Sequence, residues 1–354
     1  MSEFQPPSLR QRTGAVADLA REHAVETETL GQVHPEVLRA MQDMGLPQLI
    51  KHGSLCTIRE FIDVCGILGE GCMATGWCNF VWGVHNYLVG LFPQEAQDAV
   101  WSNPKTLVSG SLGPVGSTDS VTDDGAVISG RWRFNSGCDH ADWFLLGVSQ
   151  EEGEPYLALV HKSEVQIDDT WQVLGLRGTG SKDAIVDNVR IPPERLIPAS
   201  TTLFPYGALL VLVIVGPVIG GAQAAVNEFS KKMDPGAQHG LLLRLAEASA
   251  EVDAARTVVL AAADILDINP APAAFMTTRI LRDAAFAARL CNQATRRLFE
   301  AAGASELHDS RPLQRIFRDV TAGCAHARLQ WEGQVLPYAN MLVAESPSQD
   351  HQGE

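Results

Sequence analysis

Trp132-Arg133-Phe134-Asn135-Ser136-Gly137-Cys138-Asp139-His140-Ala141-Asp142-Trp143 holds the feature around which the rest of the chain is arranged. An extended run over residues 126–134 enters it from the turn signal Asp123-Asp124-Gly125, and a second over residues 144–148 leaves it. Between the two, the strand breaks at Ser136-Gly137. A hydroxyl and free backbone amides at such a break can hydrogen-bond the edge of a flat heterocycle. A plain β-turn has the same composition, so the residues leave both readings open.

Working outward, residues 156–160, 165–167 and 184–191 read as further short strands, and Pro192-Pro193 closes the series. This spacing suits a small barrel or sandwich over residues 107–200. On either side the period is helical. Within residues 1–106, Pro35 opens a helix carrying Val37, Leu38, Met41 and Met44, with Gly45 as its stop. An apolar stripe follows over residues 58–68, and Gly69, Gly71 and Gly76 allow close backbone approach near Trp77 and Trp82. Within residues 201–345, Leu241, Leu242, Leu245, Ala248, Val252, Ala255 and Val259 mark one face, and residues 275–299 form another helix. Pro312 starts a last helix, expected to run to Gln334, with Leu313, Ile316, Phe317, Val320 and Cys324 on its core side. The polar tail, 346–354, is expected to be disordered. Helices, then strands, then helices give an α+β chain of three domains.

The 42 acidic against 27 basic residues leave a net charge of −15, and no basic surface suited to nucleic acid is evident. Seven cysteines without a C-x-x-C pair point to free thiols in a reducing cytoplasm, and residues 1–12 lack a signal-peptide core. The apolar run over residues 207–222 is shorter than a bilayer needs and is interrupted by Pro217, so it reads as a buried helix and not as a membrane span.

Walker A, H-E-x-x-H, G-x-S-x-G and G-x-G-x-x-G patterns are all missing, which turns attention to an organic cofactor, with no metal expected. Two segments join the Ser136 turn as candidates. Trp171 to Asp183 offers Thr179 between two glycines, a second hydroxyl at Ser181 and the fixed charge of Arg177, a composition shared by anion-wrapping and solvated loops. On a helix continuing past Cys324, Arg315, Asp319, Gly323, His326 and Gln330 would share one face. That face is either the wet side of the helix or a pocket wall.

At these segments the chain resembles the acyl-CoA dehydrogenase superfamily, and within it the oxygenase components of two-component flavin monooxygenases. The resemblance is carried by residues 130–137 with 140–143, by 174–181 running into 189–192, by Gly83-Val84-His85 with Leu91-Phe92-Pro93, and by 312–319 with His326. It implies an N-terminal helical domain, a middle β-barrel and a C-terminal four-helix bundle, in a homo-oligomer (dimer or tetramer). It also implies reduced FMN or FAD delivered by a separate, transient reductase, and hydroxylation of an aromatic or polycyclic small molecule with O2. The residues it implies for the flavin are Ser111, Ser136, Trp171, Arg177, Thr179 and Ser181. His85 and His326 are implied as catalytic, one of them with a pKa near neutrality to take a substrate proton. Apolar neighbours suggest Trp82 and Tyr87 for the substrate.

The chain departs from the pattern in two places. Leu88 stands where many relatives carry a second histidine, and the connection over residues 231–240 is short, which bears on how tightly flavin phosphates are held. Two alternatives accompany the reading. One is an acyl-CoA dehydrogenase-like enzyme with a carboxylate base, for which Glu332 is the candidate, and the other is a flavin-free cyclase or dehydratase on the same scaffold.

Overall fold

The computed structural model describes residues 8–233, 236 and 238–345. The polar tail, and residues 234, 235 and 237 of the short connection, lie outside the described residues. Six helices come first: α1 (Leu9–Glu22), α2 (Ala24–Leu30), α3 (Pro35–Asp43), α4 (Ile58–Gly71), α5 (Met73–Val89) and α6 (Gln94–Val100). Seven strands follow: β1 (Val108–Thr118), β2 (Ala126–Asn135), β3 (Trp143–Gln150), β4 (Tyr156–His161), β5 (Gln166–Asp168), β6 (Lys182–Ile191) and β7 (Leu196–Pro198). Seven helices complete the described residues: α7 (Ala199–Thr202), α8 (Gly207–Leu212), α9 (Val215–Ser230), α10 (His239–Ile268), α11 (Ala274–Ala302), α12 (Pro312–Cys324) and α13 (Trp331–Glu345).

The strands form one mixed sheet in the order β5-β6-β2-β1-β3-β4-β7. The β1–β3 pair is parallel and the other pairs are antiparallel. The ladder is open, with the three-residue β5 and β7 as its edges, so the closed barrel expected from sequence is not what the hydrogen bonds draw. Because side chains alternate along a strand, β3 and β4 serve two cores at once. Leu145, Leu157 and Leu159 face the helices, whereas Phe144, Leu146, Ala158 and Val160 pack around Trp132 on the other face. The Trp132 indole donates to the Gly147 carbonyl at 2.7 Å, which satisfies its one polar atom in that interior.

Strand β1 escaped the sequence reading because Ser-Gly-Ser-Leu-Gly-Pro-Val-Gly has the composition of a loop. Pairing makes it a strand: it lies between β2 and β3, and Gly110 (φ 146°) sits where an added Cβ would be 2.0 Å from the Leu145 oxygen. The apolar run over residues 207–222 bends between α8 and α9, and 89% of its most hydrophobic window is buried inside the protein. It packs tightly on α4, where a Cβ at Gly220 would meet the Gly66 oxygen at 2.0 Å. Helices α9, α10, α11 and α12 pack on one another, with Ala248, Val252, Ala255 and Val259 buried. Leu242 is 43% exposed while Leu241 and Leu245 pack against the core, so it does not share the single apolar face expected there.

The last helix also departs from expectation. It stops at Cys324 and does not run to Gln334, so the shared polar face fails beyond that residue. Gln330 Nε2 donates to the Cys324 carbonyl at 3.0 Å, and the Arg328 N–H donates to His326 Nδ1 at 3.2 Å. Side chains thereby satisfy backbone groups freed by the break. Of the face on α12 itself, Asp319 and Gly323 are buried.

Candidate active site

The Ser136 turn is a strained piece of backbone held from all sides. Phe134 adopts φ 66°, unusual for a bulky residue, while its ring is 67% exposed. Buried Asn135 holds the bend by donating from Nδ2 to the Trp132 carbonyl at 2.6 Å and the Lys182 carbonyl at 3.0 Å. Ser109 Oγ donates to the Ser136 carbonyl at 2.8 Å. Behind the turn Gly137 (φ 72°) lies against Trp82, whose indole nitrogen a Cβ would meet at 2.6 Å. The Ser136 hydroxyl is left facing Ser181 Oγ at 2.7 Å and receives the Trp77 indole N–H at 3.2 Å.

The second segment meets the first through hydroxyls. Thr179 Oγ1 lies 2.7 Å from Ser181 Oγ and donates to the Leu176 carbonyl at 2.8 Å. Ser136, Thr179 and Ser181 therefore form one buried chain. Leu176 takes the left-handed conformation (φ 55°), and its N–H donates to Asp319 Oδ1 at 2.6 Å. Burial pushes the Asp319 carboxyl up to about 6. Holding it ionised at neutral pH costs roughly 3 kcal/mol relative to an exposed carboxylate.

Both candidate histidines are linked to this chain through neighbouring residues. His85 is 5% exposed on α5, and its Nδ1 lies 3.2 Å from the Val108 carbonyl, next to the serine that holds Ser136. His326 sits in the break after α12, its ring 6.0 Å from that of Trp77. Burial lowers both rings to about 4, so neither is poised near neutrality as expected, because no carboxylate partners either of them. Both are neutral at pH 7, and their backbone partners fix opposite tautomers. A carbonyl can only accept, so the Val108 contact places the His85 proton on Nδ1 and the lone pair on Nε2, with the Ser109 backbone also beside the ring. The Arg328 N–H can only donate, so His326 Nδ1 is bare and Nε2 carries the proton.

The remaining candidates are dispersed. Trp171 and Arg177 form an outer rim, the indole donating to the Leu176 carbonyl at 3.0 Å and the half-exposed guanidinium lying 3.7 Å from Glu28. They border a cavity of about 470 Å³ shared with Lys182 and the end of α2. Ser111 is half-buried further along β1. Trp82 is fully buried with its indole toward the Gly137 carbonyl at 3.4 Å, which makes it a prop behind the turn. Tyr87 points away from it, edge-on to Tyr206 at 5.5 Å. The rival base Glu332 is exposed. His23, Glu26 and His34 converge near α2, but the two imidazoles are stacked within 5° at 3.9 Å, so their in-plane lone pairs do not aim at a common point.

Sequence reasoning missed Trp77 and Ser109 as members of the site. For Trp77 the signal was Gly76, whose missing side chain lets α5 lie on α4. Ser109 lies in the strand that read as a loop.

Comparison with known proteins matches this architecture. The model of the acyl-CoA dehydrogenase C-terminal domain fits residues 212–331. Over 92% of its length the chain is 33% identical to the flavin-dependent monooxygenase oxygenase subunit HsaA of Mycobacterium tuberculosis, spanning 94% of that protein. It is 31% identical, over 91% of its length and 90% of the relative's, to the oxygenase component of an FADH(2)-dependent resorcinol hydroxylase from Rhizobium. The crystal structure of the M. tuberculosis HsaA monooxygenase superposes with a TM-score of 0.87 at 29% identity, covering 95% of this chain and 97% of that one. With similarity of this extent running through the helical and strand regions alike, the chain belongs to the flavin-dependent monooxygenase oxygenase components of the acyl-CoA dehydrogenase superfamily.

Proposed function

We propose that this chain is the oxygenase half of a two-component system, hydroxylating an aromatic or polycyclic small molecule with reduced FMN or FAD and O2. The observation that carries the reading is the buried hydroxyl chain Ser136–Ser181–Thr179, with one neutral histidine beside Val108 and another beside Trp77. The hydrogen bonds run in one direction, from Ser136 to Ser181 to Thr179 to the Leu176 carbonyl, because the Thr179 proton is already given to that carbonyl. The hydroxyls therefore meet the edge of a flavin ring with their remaining lone pairs. Exposed Phe134, edge-on to Trp171 at 6.0 Å, adds an aromatic surface beside them. Ser136, Thr179 and Ser181 would hold the ring, with Trp171 and Arg177 along the cofactor. Ser111 is assigned to the flavin on family resemblance alone. When bound, reduced flavin supplies the electrons that activate oxygen.

The two tautomers divide the proton work. Bare Nε2 of His85 accepts a proton from a substrate hydroxyl, and Nε2–H of His326 donates to an oxygen that gains negative charge. With a pKa near 4, His85 is a weak base at rest. Its proton acceptance therefore depends on negative charge arriving nearby with the substrate. Tyr87 remains a substrate contact in this reading, whereas Trp82 acts through the turn it supports. The same reading includes a dimer or tetramer in the cytoplasm, a transient reductase partner, and the three-domain division at 1–106, 107–200 and 201–345. In it the open sheet and the packed helices α9 to α12 correspond to the barrel and four-helix bundle of the fold.

Anaerobic titration with reduced FMN and reduced FAD, followed by fluorescence, tests the cofactor. Binding at roughly micromolar strength is expected. Aerobic mixing with a panel of phenols and a flavin reductase should then yield hydroxylated product. Failure of either flavin to bind at high micromolar concentration would overturn the reading in favour of flavin-free chemistry.

A further inference from the structure

We infer that Asp319, assisted by Arg318, is a positioning residue for the hydroxyl chain: α12 grips the backbone of residues 174–176 and so sets where Thr179, Ser181 and Ser136 present their hydroxyls. The inference rests on the flavin reading above and extends it to residues that touch no candidate ligand.

Three contacts make the grip. The Leu176 N–H donates to Asp319 Oδ1 at 2.6 Å, and Arg318 Nη1 donates to the Leu174 carbonyl at 2.8 Å. Between them Gly175 lies directly against the helix backbone, where a Cβ would fall 2.1 Å from the Arg318 oxygen. Arg318 is itself braced by Gln314 Oε1 at 2.8 Å and by the Glu28 carboxylate at 2.7 Å, which ties α2 into the same contact.

What is gripped is conformationally unfavourable and chemically connected. Leu176 has a positive φ, which a branched L-residue adopts only when its surroundings impose it. Its carbonyl then receives both the Trp171 indole N–H and the Thr179 hydroxyl. From Thr179 the hydrogen bonds continue through Ser181 to Ser136. Letting Leu176 relax to negative φ would turn its carbonyl away and free the Thr179 hydroxyl, the anchored end of that chain. A buried carboxylate makes the stronger, charge-assisted bond that such a hold needs. An asparagine would supply the acceptor without the charge, so packing alone gives no reason for an acid here.

Asp319→Ala and Asp319→Asn, compared with the wild-type full-length chain, test the inference. With Ala, the Kd for reduced flavin should rise about tenfold or more, and the KM for reduced flavin with it. At saturating flavin, kcat should stay within about threefold. Asn keeps an acceptor oxygen but not the charge and should fall between wild type and Ala in affinity, with a melting temperature no lower than wild type. If Asp319→Ala lowers the melting temperature but leaves the Kd for reduced flavin unchanged well below it, the residue is structural and the inference is overturned. If the Ala variant does not fold, the Asn variant decides through the pH dependence of its flavin Kd. Wild type should lose affinity as pH falls through the range where Asp319 protonates and Asn should not, and parallel curves would overturn the inference. Absence of flavin binding by the wild type would instead remove the functional reading beneath it.

Discussion

The seam between α5 and β1 holds His85 in a rigid interior, whereas the break between α12 and α13 holds His326 with little more than its own neighbours. In the seam the ring is 5% exposed and hydrogen-bonded to a strand carbonyl that lies 23 residues away in sequence. In the break the ring is capped by an N–H only two residues on, and Gln330 bonds the carbonyls on either side of it. Burial lowers both rings to about 4, yet the backbone partner gives them opposite tautomers. Burial sets whether a histidine is charged, and local backbone geometry sets which way it can move a proton. The two regions should therefore respond differently to the same substitution.

The largest expected effects come from removing the rings. His85→Ala and His326→Ala should each lower product formation by roughly 10² or more, as loss of a proton-transfer group does. The melting temperature separates them. His85→Ala leaves a cavity and an unpaired acceptor in the seam and should lower it clearly, whereas His326→Ala should leave it nearly unchanged. Normal turnover by His326→Ala would remove the break from the chemistry altogether.

Acid sharpens the comparison next. The folded chain holds His85 neutral down to about 4, while the unfolded chain binds that proton at 6.5. Stability from this residue is thus full above 6.5 and lost as pH falls toward 4, a total of about 3 kcal/mol. Asp319 works the other way. Its carboxyl protonates near 6 when folded and near 3.8 when unfolded, so its share of stability is present below 3.8 and lost as pH rises through 6. The two partly cancel in the wild type, and variants expose them. Denaturant titrations at several pH values should show a shallower acid loss for His85→Asn and a steeper one for Asp319→Asn. Unchanged slopes in both would mean that neither group is buried as described.

The difference between the regions also explains what the sequence revealed. Ser136-Gly137 and the loop around Thr179 were legible, because a strand break and glycine-flanked hydroxyls are local signals. His85 was visible only through resemblance, since a histidine on an apolar helix announces no partner, whereas His326 was also singled out on a helical face that the structure breaks at Cys324. The end of α12 was misread because Ala-Gly-Cys-Ala-His contains no proline, and the side chains that cap the broken backbone lie up to six residues beyond it. Trp77 and Ser109 were illegible for a different reason. Each reaches Ser136 across more than twenty residues of sequence, through contacts that only the assembled sheet and helices create.

A third substitution probes the seam without touching either histidine. Ser109→Ala removes the donor to the Ser136 carbonyl in a fully buried place, leaving that oxygen unpaired. A loss of about 1–3 kcal/mol is expected from denaturant unfolding, because no water replaces the hydroxyl there. A loss below 0.5 kcal/mol, on the order of an exposed site, would show the seam to be looser than its burial implies.

The smallest expected effect belongs to the break. Gln330 is exposed, and its amide donates to the Cys324 and His326 carbonyls at 3.0 and 3.4 Å. Replacing it by Ala removes two bonds of the same kind as the one lost in Ser109→Ala, but solvent can reach the freed carbonyls. The net worth of a hydrogen bond that water can replace is small, so stability should fall by less than about 1 kcal/mol. The consequence for function is also bounded. His326 keeps its cap from Arg328 and its place beside Trp77, so turnover should change by no more than about threefold, or 0.7 kcal/mol. A drop approaching that of His326→Ala would mean that Gln330 fixes the ring as firmly as the strand carbonyl fixes His85, and the contrast between a rigid seam and a self-capped break would be lost.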